Sequence, residues 1–412
     1  MKNRKPLKIA VVVGVFPSVS EAFITNQLRF LVKSGHKINI LATRHLDIDN
    51  PLFYSETYND LKTKARVLSK AAVLPKAYLQ RLFNAVLILL KFKSSIHLLK
   101  TFNVFKYGKD ALNFSMFFKT YYKYYFNIHD YDIVHVHFGD NAVHLRSLIN
   151  NFKKSTIVTF HGYDAHKFDA SFYEDLIQTK NITLTVNTNF TKNKVKKLGF
   201  DNFKIYTLPV GLDTKYFLQQ NVENKTFNIL FVGRLVDFKA PILAVKIIEK
   251  LHEYEKFVSL NIIGDGPLYE SCLDYVISRK LQNYIHLQKS LSQNEVINFM
   301  DNSSVFLYPG IVDNTGRCEN QGLVIQEAQA MQLPVVTSDV GGISEGLIDK
   351  KTGFLVEEGN IDAFVSKVLW LIDNPNRRKE MGKAGRQFVV ENYESIILGE
   401  RLIDIYYNSL QD

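Results

Sequence analysis

The segment Phe227-Asn-Ile-Leu-Phe-Val-Gly-Arg-Leu-Val-Asp-Phe-Lys-Ala-Pro241 predicts the fold of the second half of this chain. The apolar run at its start is typical of a buried parallel strand, and Gly233 ends that run in a turn that carries Arg234 and Lys239. Pro241 then opens an apolar helix pattern at the first helical position, which proline favours. A strand, a glycine turn and a helix in this order form one unit of a parallel α/β sheet.

The same turn predicts an anion site. A helix N-terminus presents free N–H groups and a partial positive charge, Arg234 offers a planar fork of donors, and Lys239 offers a point charge. A diphosphate fits this set of groups. The alternative is a pair of surface cations beside an ordinary turn, and the segment by itself leaves that alternative open.

Two carboxylates follow in Glu319-Asn-Gln-Gly-Leu-Val-Ile-Gln-Glu327. Gly322 breaks the chain before an apolar helix pattern that begins at Leu323, so Glu319 is expected in the loop and Glu327 on the helix. An ionised carboxylate can accept several O–H hydrogen bonds, which suits a ligand rich in hydroxyl groups. A solvated loop end and an exposed helix position are the alternative interpretation.

Further strand and turn patterns surround these two motifs. Leu260-Asn-Ile-Ile-Gly264-Asp-Gly-Pro267 predicts a strand that ends in a glycine turn, and Ser304 to Tyr308 predicts a strand that leads into the loop of Glu319. The segment Pro334-Val-Val-Thr-Ser-Asp-Val-Gly-Gly-Ile-Ser-Glu345 closes the series.

These motifs, in this order over about 120 residues, resemble glycosyltransferase family 4, the retaining transferases with the GT-B fold. The resemblance implies an α/β protein of two Rossmann-like domains that face each other across a cleft. It also implies a UDP-sugar or GDP-sugar donor, no cofactor and no metal. Glu327 would bind the ribose and Glu319 the donor sugar. The chain departs from the family pattern at Asn320-Gln321, which puts the choice of donor sugar in doubt.

The first half carries weaker signals of the same kind. Leu7 to Gly14 is an apolar strand that ends in glycine, and the turn Phe16-Pro-Ser-Val-Ser-Glu-Ala-Phe23 follows it. With one glycine in this turn, the three-glycine dinucleotide fingerprint is absent. A helix over 24–33 and a strand over 37–42 complete a βαβ unit. The turn and His161-Gly-Tyr-Asp164 resemble exopolysaccharide and colanic-acid members of family 4.

The resemblance assigns roles residue by residue. His161 matches the histidine that faces the donor sugar from the acceptor domain, and its alternative is a satisfied histidine at a strand end. The residues implied in catalysis are His161, Arg234, Lys239 and Glu319, and those implied in donor binding are Gly14, Gly233, Gly264, Gly322, Leu323 and Glu327.

Metal sites are not expected. His135 and His137 alternate on a strand and point the same way, but no third ligand is evident near them, which favours packing or pocket polarity. Asp47-Ile-Asp49 and Asp130-Tyr-Asp132 match the metal motif of the other transferase fold, and we attribute both matches to chance.

Length and turn signals predict two domains. An acceptor-binding domain is expected over residues 1–215, and a nucleotide-sugar-binding domain over 222–392, with a polar linker between them. The helix over 393–412 is expected to pack back on the first domain. Two cysteines, Cys272 and Cys318, exclude a disulfide framework and indicate a reducing compartment, and no secretory signal or membrane-spanning run is evident.

The net charge of +10 is concentrated in one stretch. Residues 62–126 contain thirteen Lys or Arg residues and one acid, Asp110, together with many Phe and Tyr residues. Basic, aromatic, helical segments are typical of interfacial membrane helices, and an anionic membrane surface is therefore the expected partner. Ordinary basic surface helices are the alternative. Nucleic acid is not expected, because no nucleic-acid-binding motif is present.

The sequence therefore predicts a peripheral cytoplasmic glycosyltransferase that transfers a sugar to a saccharide or polyprenyl-linked acceptor in surface-glycan synthesis. Two other classes remain open at this point. One is a sugar-nucleotide-binding protein without transferase activity. The other is a dehydrogenase built on two Rossmann-like halves, which the missing glycine fingerprint disfavours.

Overall fold

The computed structural model describes residues 4–16, 18, 21–46, 61, 66–68, 77–91, 98–125, 130–150, 152, 154–220, 227–254 and 258–411. The chain divides into two compact units. The first contains Met1–Val186, Lys194–Tyr206 and Arg401–Asp412, and the second contains Asn187–Asn193 and Thr207–Glu400.

The strands are β1 Lys8–Phe16, β2 Lys37–Leu46, β3 Arg66–Leu68, β4 Ile133–His137, β5 Ser155–Phe160, β6 Ile182–Val186, β7 Ile205–Thr207, β8 Phe227–Val232, β9 Val258–Ile263, β10 Ile285–Gln288, β11 Val305–Tyr308, β12 Val335–Ser338 and β13 Gly353–Val356. The α-helices are α1 Ala22–Lys33, α2 Tyr78–Lys91, α3 Val104–Tyr107, α4 Lys109–Leu112, α5 Ser115–Tyr125, α6 Gly139–His144, α7 Arg146–Ile149, α8 Tyr163–Lys167, α9 Ala170–Ile177, α10 Asn189–Val195, α11 Pro241–His252, α12 Tyr269–Ser278, α13 Gln293–Asp301, α14 Leu323–Ala330, α15 Ile361–Asp373, α16 Pro375–Tyr393 and α17 Ser395–Ser409.

The first unit is built on a seven-stranded sheet of order β3-β2-β1-β4-β5-β6-β7. The pairs from β3 through β6 are parallel, and central strands such as β4 and β5 are buried along their whole length. Parallel strands are covered on both faces, which explains their near-continuous apolar sequences. This doubly wound sheet is a Rossmann-like domain.

Strand β1 differs from the prediction at Gly14. The sequence predicts that the strand ends at this glycine, but β1 continues to Phe16. Pairing with β2 resumes beyond an irregularity between Val13 and Val15, and Phe16 lies opposite Leu46. Gly14 therefore lies within a strand rather than in the turn after it.

The second unit is built on a six-stranded parallel sheet of order β10-β9-β8-β11-β12-β13. Its core includes the apolar residues of β8 and β11 and the inner face of α11. The predicted strand at Phe227 and the predicted helix start at Pro241 are confirmed, because Pro241 occupies the first turn of α11. The direction of strand order reverses between β1 and β4 in the first sheet and between β8 and β11 in the second. Open α/β sheets bind ligands at such switch points.

The predicted helix over 393–412 corresponds to α17, which begins two residues later than predicted. Helix α16 ends at Tyr393, and Glu394 has an extended ψ of 127° before α17 begins at Ser395. Leu212 bridges the break, because its N–H donates to the carbonyl of Tyr393 and its own carbonyl accepts from the N–H of Ser395. The end of α17 belongs to the first unit, where Asp404 pairs with Arg4 and the Tyr407 hydroxyl donates to the carbonyl of Lys5.

The basic stretch is mainly helical where the structure describes it, over residues 66–68, 77–91 and 98–125. Helices α2 and α5 contribute to a small apolar cluster within this stretch. The buried members of that cluster are Ala85, Leu98, Phe114, Phe117, Phe118 and Tyr121. In the described part of the chain, every helix is too short or too polar to cross a lipid bilayer.

Candidate functional site

Three polar side chains meet at the ends of β8 and β11 in the second unit. The ammonium of Lys239 forms an ion pair with Glu319 at 2.7 Å and donates to the Tyr308 hydroxyl at 2.7 Å. That hydroxyl donates in turn to the same carboxylate oxygen, Oε2 of Glu319, at 2.5 Å. The fold thus brings two predicted site residues into contact and adds Tyr308 to them.

The electrostatics of this triad keep Glu319 ionised. Burial raises the pKa of its carboxyl, but the Lys239 charge and the hydrogen bonds from Lys239 and Tyr308 outweigh burial and hold the pKa below its ordinary value. Burial, reinforced by the Glu319 charge, raises the pKa of Tyr308 well above its ordinary value, so the phenol stays protonated and donates. The second oxygen of Glu319 accepts a longer bond, 3.3 Å, from the N–H of Asn320.

Glycines allow the loops around this triad to approach one another closely. A Cβ on Gly264 would lie 1.9 Å from the carbonyl oxygen of Gly233, and a Cβ on Gly342 would lie 1.8 Å from the carbonyl oxygen of Asn320. At Gly264, the turn after β9 lies directly against the turn after β8 that precedes Arg234. At Gly342, the backbone lies directly against the Glu319 loop, and the N–H of Gly342 also donates to the carbonyl of Glu319. Both positions therefore require glycine for steric reasons.

The chain departs from the family pattern at Asn320 and Gln321. Both side chains form hydrogen bonds that connect the Glu319 loop to other segments of the chain. The amide oxygen of Asn320 accepts from the hydroxyls of Thr188 and Thr191 in the 187–193 segment of the same unit. The side chain of Gln321 exchanges two hydrogen bonds with the backbone of Val210, at 2.7 and 2.9 Å. These two side chains tie the loop of Glu319 to segments more than a hundred residues earlier in the chain.

Glu327 lies on α14, as predicted, and Glu319 lies in the loop before it. Gly322 takes a left-handed conformation, with φ of 68°, and Leu323 begins the helix. Glu327 is half-buried, and burial raises the pKa of its carboxyl to about 7. Among the described residues, no side chain donates a hydrogen bond to Glu327, so this carboxylate is available to hydroxyl groups of a ligand.

Arg234 is exposed, whereas Lys239 is half-buried one short 3₁₀ turn before α11. Gly233 packs against the Lys239 side chain, since a Cβ there would lie 3.3 Å from the Lys239 Cδ. The turn therefore places an exposed guanidinium and a half-buried, paired ammonium beside a helix N-terminus, and this arrangement suits phosphate oxygens.

In the first unit, the ends of β4 and β5 bring three histidines together. His135 hydrogen-bonds the Tyr406 hydroxyl and the Thr159 hydroxyl, both at 2.7 Å. Its ring lies 4.3 Å from that of His137, and Nδ1 of His137 lies 3.0 Å from Nε2 of His161. Among the described residues, no group of three His, Cys, Asp or Glu has a metal-binding arrangement.

All three histidines are neutral near pH 7. Burial lowers the pKa of His137 to about 3. Burial, together with the neighbouring His137, holds the pKa of His161 well below its ordinary value, and the same causes act on His135. The His161 ring also contacts Phe23 and Phe138, with centroids 4.9 and 4.5 Å away. His161 is therefore a neutral hydrogen-bonding group held among aromatic rings.

Asp164, the last residue of the His161-Gly-Tyr-Asp164 segment, has a role that the sequence reasoning missed. Its fully buried carboxylate accepts four backbone hydrogen bonds, from the N–H groups of Gly139, His161, Gly162 and Ala165. Burial raises its pKa to about 7, although the N–H donors favour the ionised form. The carboxylate fixes the turn that carries His161 to the turn after β4.

The two metal-like sequence matches are also accounted for in part. Asp132 accepts from the ammonium of Lys154 and from the N–H of Lys8, both at 2.8 Å, so its carboxylate joins β1 to the start of β5. Asp47 and Asp49 lie outside the described residues. Asp132 of the second match therefore has a structural role.

Comparison with known proteins decides the family. Residues 213–388 match the family model for glycosyl transferases group 1. The protein is a glycosyltransferase, and residues 213–388 form its group 1 domain. The matched residues cover the second unit from the strand before Arg234 to α16, and they include Lys239, Glu319 and Glu327. The predicted family is confirmed.

Relatives and a solved structure agree with this assignment. The glycosyltransferase is 24% identical over 382 residues to the putative colanic acid biosynthesis glycosyltransferase WcaL of Salmonella typhimurium, with 88% of this chain and 90% of that protein covered. It is 31% identical over 238 residues to the capsular polysaccharide biosynthesis glycosyltransferase CapM of Staphylococcus aureus, covering 55% and 59%. The crystal structure of Anabaena Alr3699/HepE in complex with UDP superposes with a TM-score of 0.70 at 11% identity, covering 98% and 100%. The fold is GT-B, with two Rossmann-like domains, as predicted.

Proposed function

We propose that this glycosyltransferase moves a sugar from a nucleoside diphosphate sugar, with UDP or GDP as the nucleotide, to a saccharide or polyprenyl-linked acceptor. The second unit would hold the donor, and the first unit would hold the acceptor. The observation that carries the proposal is the Lys239–Glu319–Tyr308 triad beside the α11 N-terminus, which combines a fixed cation with a fixed anion. A sugar diphosphate presents the matching groups, phosphate oxygens and sugar hydroxyls.

The diphosphate is the leaving group, and it gains negative charge as the glycosidic bond breaks. Arg234, Lys239 and the N–H groups of α11 would neutralise that charge without a metal ion. Electrostatic stabilisation by fixed donors is usually the largest single contribution to such a reaction. We further propose that the anomeric carbon keeps its configuration, as in the retaining transferases that the motifs resemble.

The two carboxylates would bind different parts of the donor, the ribose and the transferred sugar. Glu327 has no partner among the described residues and lies on α14, where it would accept hydrogen bonds from the ribose hydroxyls. Glu319 would accept from the donor-sugar hydroxyls through Oε1, because its other oxygen is occupied by Lys239 and Tyr308. His161, neutral and held by its ring contacts, would form a hydrogen bond with the donor sugar.

The biological setting that we propose is exopolysaccharide, capsule or other surface-glycan synthesis at the cytoplasmic face of the membrane. Relatives named for colanic acid and capsular polysaccharide synthesis support it. The excess positive charge of residues 62–126 supports docking on an anionic lipid surface, where each Lys contributes about 1 kcal/mol.

Arg234→Ala tests the phosphate assignment. Removing one charge-assisted bond at a developing anion costs about 3 kcal/mol, or roughly a hundredfold in turnover at saturating donor. Arg377→Ala is the matched control, because Arg377 is an exposed arginine paired only with Glu380 on the surface of α16. Initial rates across a panel of UDP- and GDP-sugars measure both variants. Near-normal turnover by Arg234→Ala would refute the assignment.

The same panel separates the alternatives. A sugar-nucleotide-binding protein would bind a donor without hydrolysis or transfer, and a dehydrogenase would bind a nicotinamide nucleotide, which a fluorescence titration detects. Sedimentation with anionic and neutral vesicles tests the membrane assignment. Pelleting with anionic vesicles alone, reduced at 1 M salt where the Debye length is about 3 Å, is the expected result.

A further inference from the structure

Helix α2 (Tyr78–Lys91) has three distinct faces. One packs against the small apolar cluster through Ala85, with Ile88 and Leu89 at its edge. At 100° per residue, Gln80 and Asn84 form a narrow polar strip beside it. The remaining face, somewhat less than half of the circumference, carries six large apolar side chains. They are Leu79, Leu82, Phe83, Val86, Leu87 and Leu90.

This apolar face is exposed to solvent. Leu79 is 78% exposed, Phe83 64% and Leu90 79%. A water-facing helix of a soluble domain ordinarily places polar residues there, so a contiguous apolar face of this size marks an interaction surface. The exposed residues Leu99 and Phe105 on the following segment extend the apolar surface of this helical region.

Positive charge accompanies the apolar face. Lys100, Lys106 and Lys109 are exposed on the segment that follows α2. Across residues 77–125, Asp110 is the one acid in the sequence, and its carboxylate accepts a hydrogen bond from the Ser115 hydroxyl at 2.9 Å. A broad apolar face with flanking lysines is the composition of helices that lie in the interface of an anionic bilayer.

We propose that α2 lies parallel to the membrane and inserts its apolar face among the lipids of an anionic bilayer, while the neighbouring lysines contact lipid phosphates. This inference rests on the membrane docking proposed above and adds a specific inserting surface to it. At 14 residues α2 is about 21 Å long, shorter than the roughly 30 Å hydrocarbon core, so it lies in the interface rather than across it.

A bilayer fits this surface better than a second copy of the chain does. A twofold dimer would place the same patch of each copy against the other and bring the two lysine groups together. Like charges held face to face oppose such an association. Anionic lipid instead supplies the opposite charge and an apolar interior, so both properties of the surface are matched at once.

A tryptophan reporter measures insertion directly. Leu90→Trp in a Trp370→Phe background places the one tryptophan of the chain on the apolar face. Vesicles of equal parts phosphatidylglycerol and brominated phosphatidylcholine should quench and blue-shift its emission. Ile277→Trp in the same background is the control, because Ile277 is an exposed apolar residue of the second unit, and its emission should not change. Equal emission with and without brominated lipid in the Leu90→Trp protein would overturn the proposal.

A deletion of the apolar contacts completes the test. The triple change Leu79→Ser, Phe83→Ser, Leu90→Ser should lower partitioning into the vesicles by at least about a hundredfold, because each large apolar side chain that leaves water contributes about tenfold or more. The same three changes at Ile277, Ile348 and Ile396, exposed apolar residues of the second unit, should have no effect. Folding is checked by the thermal transition of each protein.

The outcomes distinguish this inference from the proposed function. If the triple variant pellets like the parent, docking is electrostatic and insertion is refuted. If the parent binds no vesicles, both membrane proposals fail, whereas the Arg234→Ala result on sugar transfer is unaffected. If the triple change converts a dimer to a monomer in sedimentation without vesicles, the face is a dimer interface and the proposal is overturned.

Discussion

In the first unit, the ends of β4 and β5 bring together three histidines that are all neutral, whereas in the second unit the ends of β8 and β11 bring together an ion pair. Burial produces both results. It lowers the pKa values of His137 and His161 so far that both rings are neutral near pH 7. It leaves charge on Glu319, because the Lys239 ammonium lies 2.7 Å away.

The difference indicates which part of a substrate each cluster can handle. A neutral imidazole can donate or accept one hydrogen bond and suits an uncharged sugar. A fixed ammonium beside a helix N-terminus suits a diphosphate whose charge grows during the reaction. Two related sheets thus present chemically different ends, and the following experiments test whether that division is real.

Lys239→Met should have the largest effect. It removes a phosphate ligand and leaves Glu319 buried without its counter-charge, so we expect turnover to fall more than a hundredfold and the free energy of unfolding to fall by about 3 kcal/mol. Initial rates and chemical denaturation measure the two effects. Lys250→Met, which breaks the more exposed pair with Asp362, is the control and should change each by little. Comparable results for the two variants would remove Lys239 from the site.

Glu327→Ala and Glu319→Ala should separate nucleotide binding from sugar transfer. Loss of hydrogen bonds from ribose to a charged acceptor costs about 1.5–3 kcal/mol, so Glu327→Ala should weaken binding of UDP or GDP roughly tenfold to a hundredfold. Glu319→Ala should leave that binding nearly intact and lower transfer. Calorimetry with the bare nucleotide measures the first effect, and the reverse pattern would exchange the two roles.

Asp164→Asn should destabilise the neutral cluster without touching a charged ligand. The amide keeps one acceptor oxygen and turns an NH₂ group toward backbone N–H donors, which leaves buried groups unsatisfied at a cost of about 1–3 kcal/mol. The loss should appear in the unfolding of the chain and in sugar transfer, with nucleotide affinity unchanged. An Asp164→Asn protein as stable as the parent would show that the four backbone hydrogen bonds contribute little to the free energy of unfolding.

The pH dependence of stability should reveal Glu327. Burial raises its folded pKa to about 7, above the unfolded value, so the folded state holds this proton more tightly. The contribution of this group to the free energy of unfolding is therefore greatest at low pH, and it is lost as the pH rises through 7. Glu327→Gln lacks this loss, and its stability relative to the parent should increase between about pH 5 and pH 8. A constant difference across that range would mean that the carboxyl has its ordinary pKa.

Local patterns predicted much of the second unit. The apolar run before Gly233, the proline that opens α11 and the glycine that precedes α14 are signals contained within a few residues, and the structure has each where expected. The strand at Gly14 was predicted too short, because its last residues are held by pairing with β2, which periodicity does not show. The break at Glu394 is likewise fixed by Leu212, a residue far away in sequence.

The contacts within the site were predictable only in part. The position of Tyr308 at a strand end before the Glu319 loop was visible, but its shared hydrogen bonds with Lys239 and Glu319 depend on how two strands pair. Asp164 lay in a segment that resembled family 4, yet its buried bonds to Gly139 depend on the next turn of the sheet. The charge of residues 62–126 was evident from composition, whereas the exposed face of α2 needed the packing of α5 to define it.

The return of α17 to the first unit has a consequence for synthesis. Asp404 forms an ion pair with Arg4, and the Tyr406 hydroxyl hydrogen-bonds His135. The amino-terminal domain therefore lacks part of its own packing until Asp404 and Tyr406 have been synthesised. About 200 residues separate Tyr206 from Arg401, and at 5–20 residues per second their translation takes roughly 10–40 seconds. During that interval the nascent domain lacks the contacts that α17 makes with Arg4 and His135.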